Sequence, residues 1–192
     1  SGALYRLDAK PFSSGGEGAV YGLTDVADRV VKLYHPDRIS QELEQKLQIM
    51  ASRPPNSAIL SQVAWPLDLV YDLGRNFRGF VMPRLQITDE LGAIYSYPPK
   101  RNISYQAKLI IAQNICAVIS EVHRAGFVFG DFNPKNIGID LNTCRVAFLD
   151  TDSYHIVTGN YTYRCNVCLD GYVAPELIAK CAPYKEDAYA NA

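Results

Sequence analysis

The sequence predicts an α+β chain in two parts, a β-rich front with one helix (residues 1–85) and a helix-rich back (residues 86–192). Three observations predict it. Before residue 85, short runs rich in Val, Tyr and Leu alternate with polar turns. One run of helical period interrupts them after Pro36. A longer helical run fills residues 104–124 and is followed by two short strand-like runs.

Taken in order, Ala19–Leu23 and Arg29–Tyr34 read as strands joined by the polar turn Thr24–Asp28. Pro36 and Asp37 open a helix through about Ala51, with Ile39, Leu43, Leu47 and Met50 on one face. Arg53-Pro54-Pro55-Asn56 stops it. Val63–Tyr71 and Gly79–Leu85 read as two further strands, with Asp72-Leu73-Gly74-Arg75-Asn76 as a hairpin turn between them. After Leu85 the character changes. Tyr97-Pro98-Pro99-Lys100 is a loop, and Ser104 is placed to cap a helix running to about Arg124. Leu109, Ala112, Ile115, Ile119 and Val122 recur at helical spacing along it, and Gly126 ends it. Asn136–Ile139 and Arg145–Leu149 read as short strands. The division near residues 86–88 is expected to act as a hinge, and a cleft between two lobes is a natural ligand site.

Composition narrows the function classes. Hydrophobic residues make up 48% and charged residues 20% of the 192, ordinary values for a globular protein. A net charge of −1 supplies no basic field, so nucleic acid is not expected as a partner of this segment. The apolar run at 109–119 is broken by Gln113 and Asn114 and is too short to cross a bilayer, so no membrane is expected. The first ten residues, SGALYRLDAK, lack the apolar core of a signal peptide. Five cysteines, an odd number, favour reduced thiols and a cytoplasmic location. Cys165 and Cys168 form one C-x-x-C, but Cys116, Cys144, Cys181, His35, His123 and His155 are scattered, so a zinc site is not expected.

Four stretches carry candidate chemistry. Ser13-Ser14-Gly15-Gly16-Glu17-Gly18-Ala19-Val20 has the glycines that let backbone N–H groups approach phosphate oxygens, and no Gly-Lys-Ser/Thr follows as in a Walker loop. Val30-Val31-Lys32 sets a lysine fourteen residues after Gly18, on the next strand, facing away from Val31 and Leu33. A buried ammonium needs a counter-charge, which Glu44 or Glu42 on the following helix could supply. In Gly130-Asp131-Phe132-Asn133-Pro134-Lys135-Asn136, Asp131 can orient a hydroxyl or take its proton, and Asn136 offers a hard carbonyl oxygen suited to Mg2+. Asp150 in Phe148-Leu149-Asp150-Thr151-Asp152 ends a strand fourteen residues after Asn136, where a short hairpin would return it beside Asn136. Taken singly, these are a hairpin, a solvated lysine and two turns.

In this order and at these spacings the four resemble the protein kinase superfamily, over residues 4 to 178. The resemblance implies a protein-kinase-like bilobal fold. Residues 1–85 would form the N-lobe, a five-stranded sheet plus one helix; residues 86–192 would form a partial helical C-lobe with catalytic loop and activation segment. It implies ATP and Mg2+ as cofactors and a protein hydroxyl of Ser/Thr type as acceptor. Gly15, Gly16, Gly18, Val20, Val30 and Lys32 would bind the nucleotide, with Glu44 as the partner of Lys32 and Glu42 as the alternative. Gly79 to Leu85 is similar to the gatekeeper and hinge, with Met82 as gatekeeper and the backbone of Pro83 and Leu85 meeting adenine. His123 to Asp131 is similar to the approach to the catalytic loop, with Asp131 as its aspartate, Asn136 and Asp150 as metal ligands and Lys135 reaching the γ-phosphate. Gly171-Tyr172-Val173-Ala174-Pro175-Glu176 is similar to the end of the activation segment, which favours a protein substrate.

The sequence departs from the family pattern in several places. Phe129-Gly130 replace the usual His-Arg, which removes the counter-charge for a phosphate on the activation segment. Asn133 stands where a lysine is usual, and Thr151-Asp152 replace Phe-Gly. The chain stops sixteen residues after Glu176, so the central helix of the larger lobe is expected to be missing and this piece to be incomplete. "GGEGAVY", "VVKLYH", "AWPLDLVY", "GFVMPRL" and "FLDTDSYHI" are similar to a bacterial kinase-like group often joined to a C-terminal helix-hairpin-helix module, which would carry any DNA binding. Alternatives to an active kinase are a pseudokinase or nucleotide-binding scaffold, a small-molecule phosphotransferase of kinase-like fold, and a non-enzymatic α+β interaction domain.

Overall fold

A computed structural model describes residues 4–165 and Tyr172, in two compact units, Ser1–Gln86 and Ile87–Ala192. The fold is α+β.

The first unit is a five-stranded antiparallel sheet with helices joined to it. Its strands are β1 (Ser13–Ser14), β2 (Gly18–Leu23), β3 (Val26–Tyr34), β4 (Asp68–Tyr71) and β5 (Phe77–Pro83), in the order β1-β2-β3-β5-β4. Between β3 and β4 stand α1 (Gln41–Ser52) and the single turn α2 (Ser57–Leu60). The helical stretch begins later than its sequence pattern. Pro36–Arg38 form a separate 3-10 turn, and Ser40 caps α1 by accepting from the Leu43 N–H at 3.1 Å. Leu47 and Met50 of the expected face are buried in α1, and Lys46 is buried beside them. Trp65, fully buried, donates its indole N–H to the Met50 carbonyl and fastens the helix C-terminus.

The expected strand Val63–Tyr71 is half strand. Pro66 has no N–H for a ladder, and Val63–Pro66 are buried outside the named strands; the Leu67 N–H bonds the Val81 carbonyl, and the strand itself begins at Asp68. The hairpin turn is held by Asp72, which accepts from the Asn76 N–H at 2.9 Å and from the Arg75 N–H through its carbonyl. On one face of the sheet Leu23, Val31 and Val81 form a buried cluster, packed by Leu7, Tyr21, Leu33 and Val70.

The second unit holds β6 (Asp89–Glu90), α3 (Gly92–Tyr95), α4 (Tyr105–Arg124), β7 (Phe127–Val128), β8 (Ile137–Asp140), β9 (Arg145–Phe148), β10 (His155–Thr158) and β11 (Tyr161–Tyr163). The strands make two sheets, β6-β8-β9 and β11-β10-β7. Among the described residues this unit is richer in short strands than the expected helix-rich back. Ser104 caps α4 by accepting from the Ala107 N–H, and Gly126, at φ 85°, ends it. The buried face of α4 is Ile111, Val118 and Val122, while Leu109 of the expected face is 47% exposed. Gln113 and Asn114 apart, residues 109–119 offer apolar side chains nearly all round the helix, so the pattern alone leaves its phase open.

His123, in the last turn of α4, stacks edge-on against Phe129 at 6.0 Å. Burial pushes its imidazole below the ordinary value of 6.5. The unfolded chain then takes up the proton first, so stability is fully present above about pH 6.5 and declines as pH falls below it. His123→Gln should flatten that decline, read as urea midpoints compared between about pH 7.5 and about pH 5.5.

Candidate functional site

In the first unit, the hairpin of β1 and β2 presents the glycine-rich segment. Ser14 faces Ala19 across the ladder, and the Gly15 N–H bonds the Gly18 carbonyl at 2.9 Å, which leaves Gly16 and Glu17 at the tip. The glycines do different work. A Cβ on Gly18 would stand 2.2 Å from the Leu33 carbonyl oxygen, so close packing of β2 on β3 demands a glycine there. A Cβ on Gly15 or Gly16 would meet nothing within 4 Å. Packing does not require those two glycines, and their bare backbone is what a phosphate can approach.

Cross-strand register gathers the other nucleotide-binding candidates on one sheet face. Val20 faces Lys32, which faces Phe80; Gly22 faces Val30, which faces Met82. Directly opposed residues share a face, so Val20, Val30, Lys32 and Met82 lie together, with Phe80 among them. The sequence reading did not single out Phe80. Only its register, two residues before Met82, could have found it. Pro83 ends β5, and the Arg84 N–H bonds the Asp28 carbonyl, which fixes the segment leading to half-buried Leu85.

Lys32 is 8% exposed. Its Nζ donates to Glu17 Oε2 at 3.0 Å and lies 5.2 Å from the centre of the Tyr34 ring. The expected partner, Glu44, instead accepts a hydrogen bond from the Tyr71 hydroxyl at 2.8 Å. Glu42, the alternative, is exposed in the first turn of α1. Glu17 was passed over because it reads as an ordinary polar residue of a glycine-rich turn.

In the second unit, the residues of the 130–136 stretch have separate tasks. Asn133, 5% exposed, caps the 3-10 turn Pro134–Asn136 by accepting from the Lys135 N–H at 2.9 Å. Pro134 opens that turn, where a missing N–H costs nothing. Asn133 Nδ2 also donates to Asp131 Oδ2 at 2.9 Å. Asn136 Nδ2 donates to the same oxygen at 3.0 Å and to the Asp131 carbonyl at 2.9 Å. Two amides therefore orient one oxygen of Asp131, and among the described residues its Oδ1 takes no hydrogen bond. Lys135 is exposed.

The β8–β9 hairpin brings Asp150 back toward Asn136. Ile137 faces Phe148, and the Leu149 N–H bonds the Asn136 carbonyl at 2.8 Å. Asp150 follows at φ 53°, ψ 43°, a left-handed conformation that a non-glycine residue adopts only where its surroundings impose it. Its carbonyl accepts from the Ser153 N–H and, at 2.7 Å, from the Ser153 hydroxyl. Burial, and then the nearby Asp150 charge, push the Tyr154 phenol well above its ordinary value, so Tyr154 stays protonated. Thr151 and Asp152, the residues in place of Phe-Gly, are buried.

Both Asn136 hydrogen bonds use its nitrogen, which leaves the carbonyl oxygen to a ligand. An amide oxygen and the Asp150 carboxylate are hard donors that suit Mg2+ and leave positions in its shell for water and phosphate. The residues present fit that ion.

Compared with models of known protein families, the chain matches none. Among curated proteins it is similar to protein kinase YegI of Escherichia coli O157:H7, 32% identical over 176 residues, and to protein kinase YegI of Escherichia coli strain K12, 32% identical over 185 residues. These alignments take in 88% and 92% of this chain. These similarities support a kinase-like family for the chain. It spans only 26% and 28% of the length of those two kinases. Within this kinase-like frame, Gly171, Val173, Ala174-Pro175-Glu176, Cys168, Cys181 and residues 184–192 lie outside the described residues. No helix among the described residues is long and apolar enough to cross a membrane.

Proposed function

We propose that the protein catalyses ATP- and Mg2+-dependent transfer of a phosphoryl group to a protein hydroxyl, of Ser/Thr type. The observation that carries this reading is the pair of amides on Asp131 Oδ2, which holds Oδ1 ready to orient a hydroxyl and accept its proton. Lys32 and the N–H groups of residues 15–18 bind phosphate oxygens. Asn136 and Asp150 hold the ion, which when bound neutralises phosphate charge. Lys135 offsets charge on the γ-phosphate. Val20, Val30 and Met82 give the adenine an apolar sheet face, and Pro83 and Leu85 offer it backbone groups. The 32% identity to two named protein kinases supports the general class. A cytoplasmic setting fits the reduced cysteines expected of the sequence.

Full-length protein incubated with γ-labelled ATP and Mg2+ should gain label on serine or threonine. The label should vanish on chelation and in Asp150→Asn, with a loss of about 10²-fold or more. Label appearing in soluble metabolites would assign a small-molecule phosphotransferase. ATP binding with no transfer from the wild type would assign a pseudokinase.

A further inference from the structure

We propose that Glu17, carried on the glycine-rich loop, is the residue that positions the Lys32 ammonium, in place of a carboxylate from α1. The proposal deepens the phosphotransfer reading and rests on it for its catalytic consequence, while the pairing itself stands on geometry. Lys32 is 8% exposed, and an ammonium so enclosed requires an anionic partner. Glu17 Oε2 meets its Nζ at 3.0 Å, and the Tyr34 ring flanks it at 5.2 Å. Glu44, the helix carboxylate placed to compete, is held by the Tyr71 hydroxyl.

The backbone of Glu17 is itself fixed. The His35 N–H donates to the Glu17 carbonyl at 2.9 Å, and the His35 ring nitrogen Nε2 donates to the Gly15 carbonyl at 3.0 Å. His35 follows Tyr34 at the end of β3, so one strand end ties down the loop while the same strand carries Lys32. The carboxylate is 53% exposed, so the pair adds little to stability. Its effect is on orientation. A displacement of the loop would move the phosphate-facing amides and the lysine's anchor together, which makes loop closure and lysine alignment one event.

Two readouts in the full-length protein test this. The first is the rate at which an amine-reactive ester acylates Lys32 at fixed pH, followed by mass spectrometry and independent of turnover. Removing a negative charge at 3.0 Å favours the neutral amine, so Glu17→Gln should acylate about threefold faster or more. The second is kcat/KM for ATP, which should fall about tenfold or more in Glu17→Gln and by less in Glu17→Asp, the conservative rescue. Glu44→Gln should move both quantities less than Glu17→Gln. An unchanged acylation rate in Glu17→Gln, or a larger response in Glu44→Gln, overturns the proposal. If acylation shifts as expected while the wild type transfers no phosphoryl group, the pairing holds and the phosphotransfer reading falls.

Discussion

Asp131→Asn should lower phosphoryl transfer by about 10²–10⁴-fold, the span attributable to a positioned general base, while nucleotide affinity and melting temperature stay close to wild type. The substitution is nearly isosteric. Asn133 Nδ2 and Asn136 Nδ2 both point at Asp131 Oδ2, and the new amide can turn its oxygen toward them. The turn Pro134–Asn136 therefore keeps its cap and its shape. What is lost is the charge and proton affinity at Oδ1, which asparagine replaces with an NH2 group that cannot accept a proton. The decisive comparison is kcat at saturating Mg-ATP beside ATP affinity from a binding titration. A large fall in kcat with unchanged affinity assigns Asp131 to the chemical step. Equal kcat in both proteins removes it from the mechanism, whatever the affinity does.

Much of this site was legible because it is written in short range. Asp131, Pro134 and Asn136 belong to one turn, and a turn's capping chemistry is local, so its residue types announce it. The β8–β9 hairpin follows from two apolar runs with a tight turn, and that hairpin alone returns Asp150 to Asn136. Alternation set Lys32 on the face opposite Val31 and Leu33; Val20, Val30 and Met82 were grouped with it only through the resemblance, and the register puts all four on one face. The partner of Lys32 was not legible. Glu44 and Glu17 are both carboxylates within reach in sequence; in the structure Glu44 accepts from the hydroxyl of Tyr71, 27 residues later, while Glu17 meets Lys32. The phase of α4 was hidden for a different reason, since a helix apolar nearly all round has no preferred face until its neighbours choose one. Val63–Pro66 show a third kind of failure. They were read as the start of a strand, but they are buried outside the named strands, and one of them, Pro66, has no N–H for a ladder.

Gly130→Ala should destabilise the protein by about 1–3 kcal/mol, a fall in melting temperature of roughly 2–10 °C for a chain of this size. The position before Asp131 has no room for a side chain. A Cβ there would stand 2.0 Å from the Ser153 carbonyl oxygen, 2.5 Å from Cys165 Cβ and 2.8 Å from His155 Nε2. The first of these is backbone and cannot rotate away. It belongs to the segment between Asp150 and β10, and β10 is paired to β7, where His155 faces Val128. The turn after Asp150 thus lies directly on the chain entering the Asp131 loop, in the space that an arginine would need. Phe129, the other departure from the family pattern, packs its ring on Tyr154 at 4.5 Å and Phe148 at 5.1 Å. Close packing joins the two segments, so the fit of Gly130 should govern activity as well as stability. Below its melting transition, Gly130→Ala should lose phosphoryl transfer by more than its folded fraction explains, and Gly130→Arg should fail to restore it. A Gly130→Ala protein with wild-type melting and wild-type kcat would show that the contact yields freely and joins nothing.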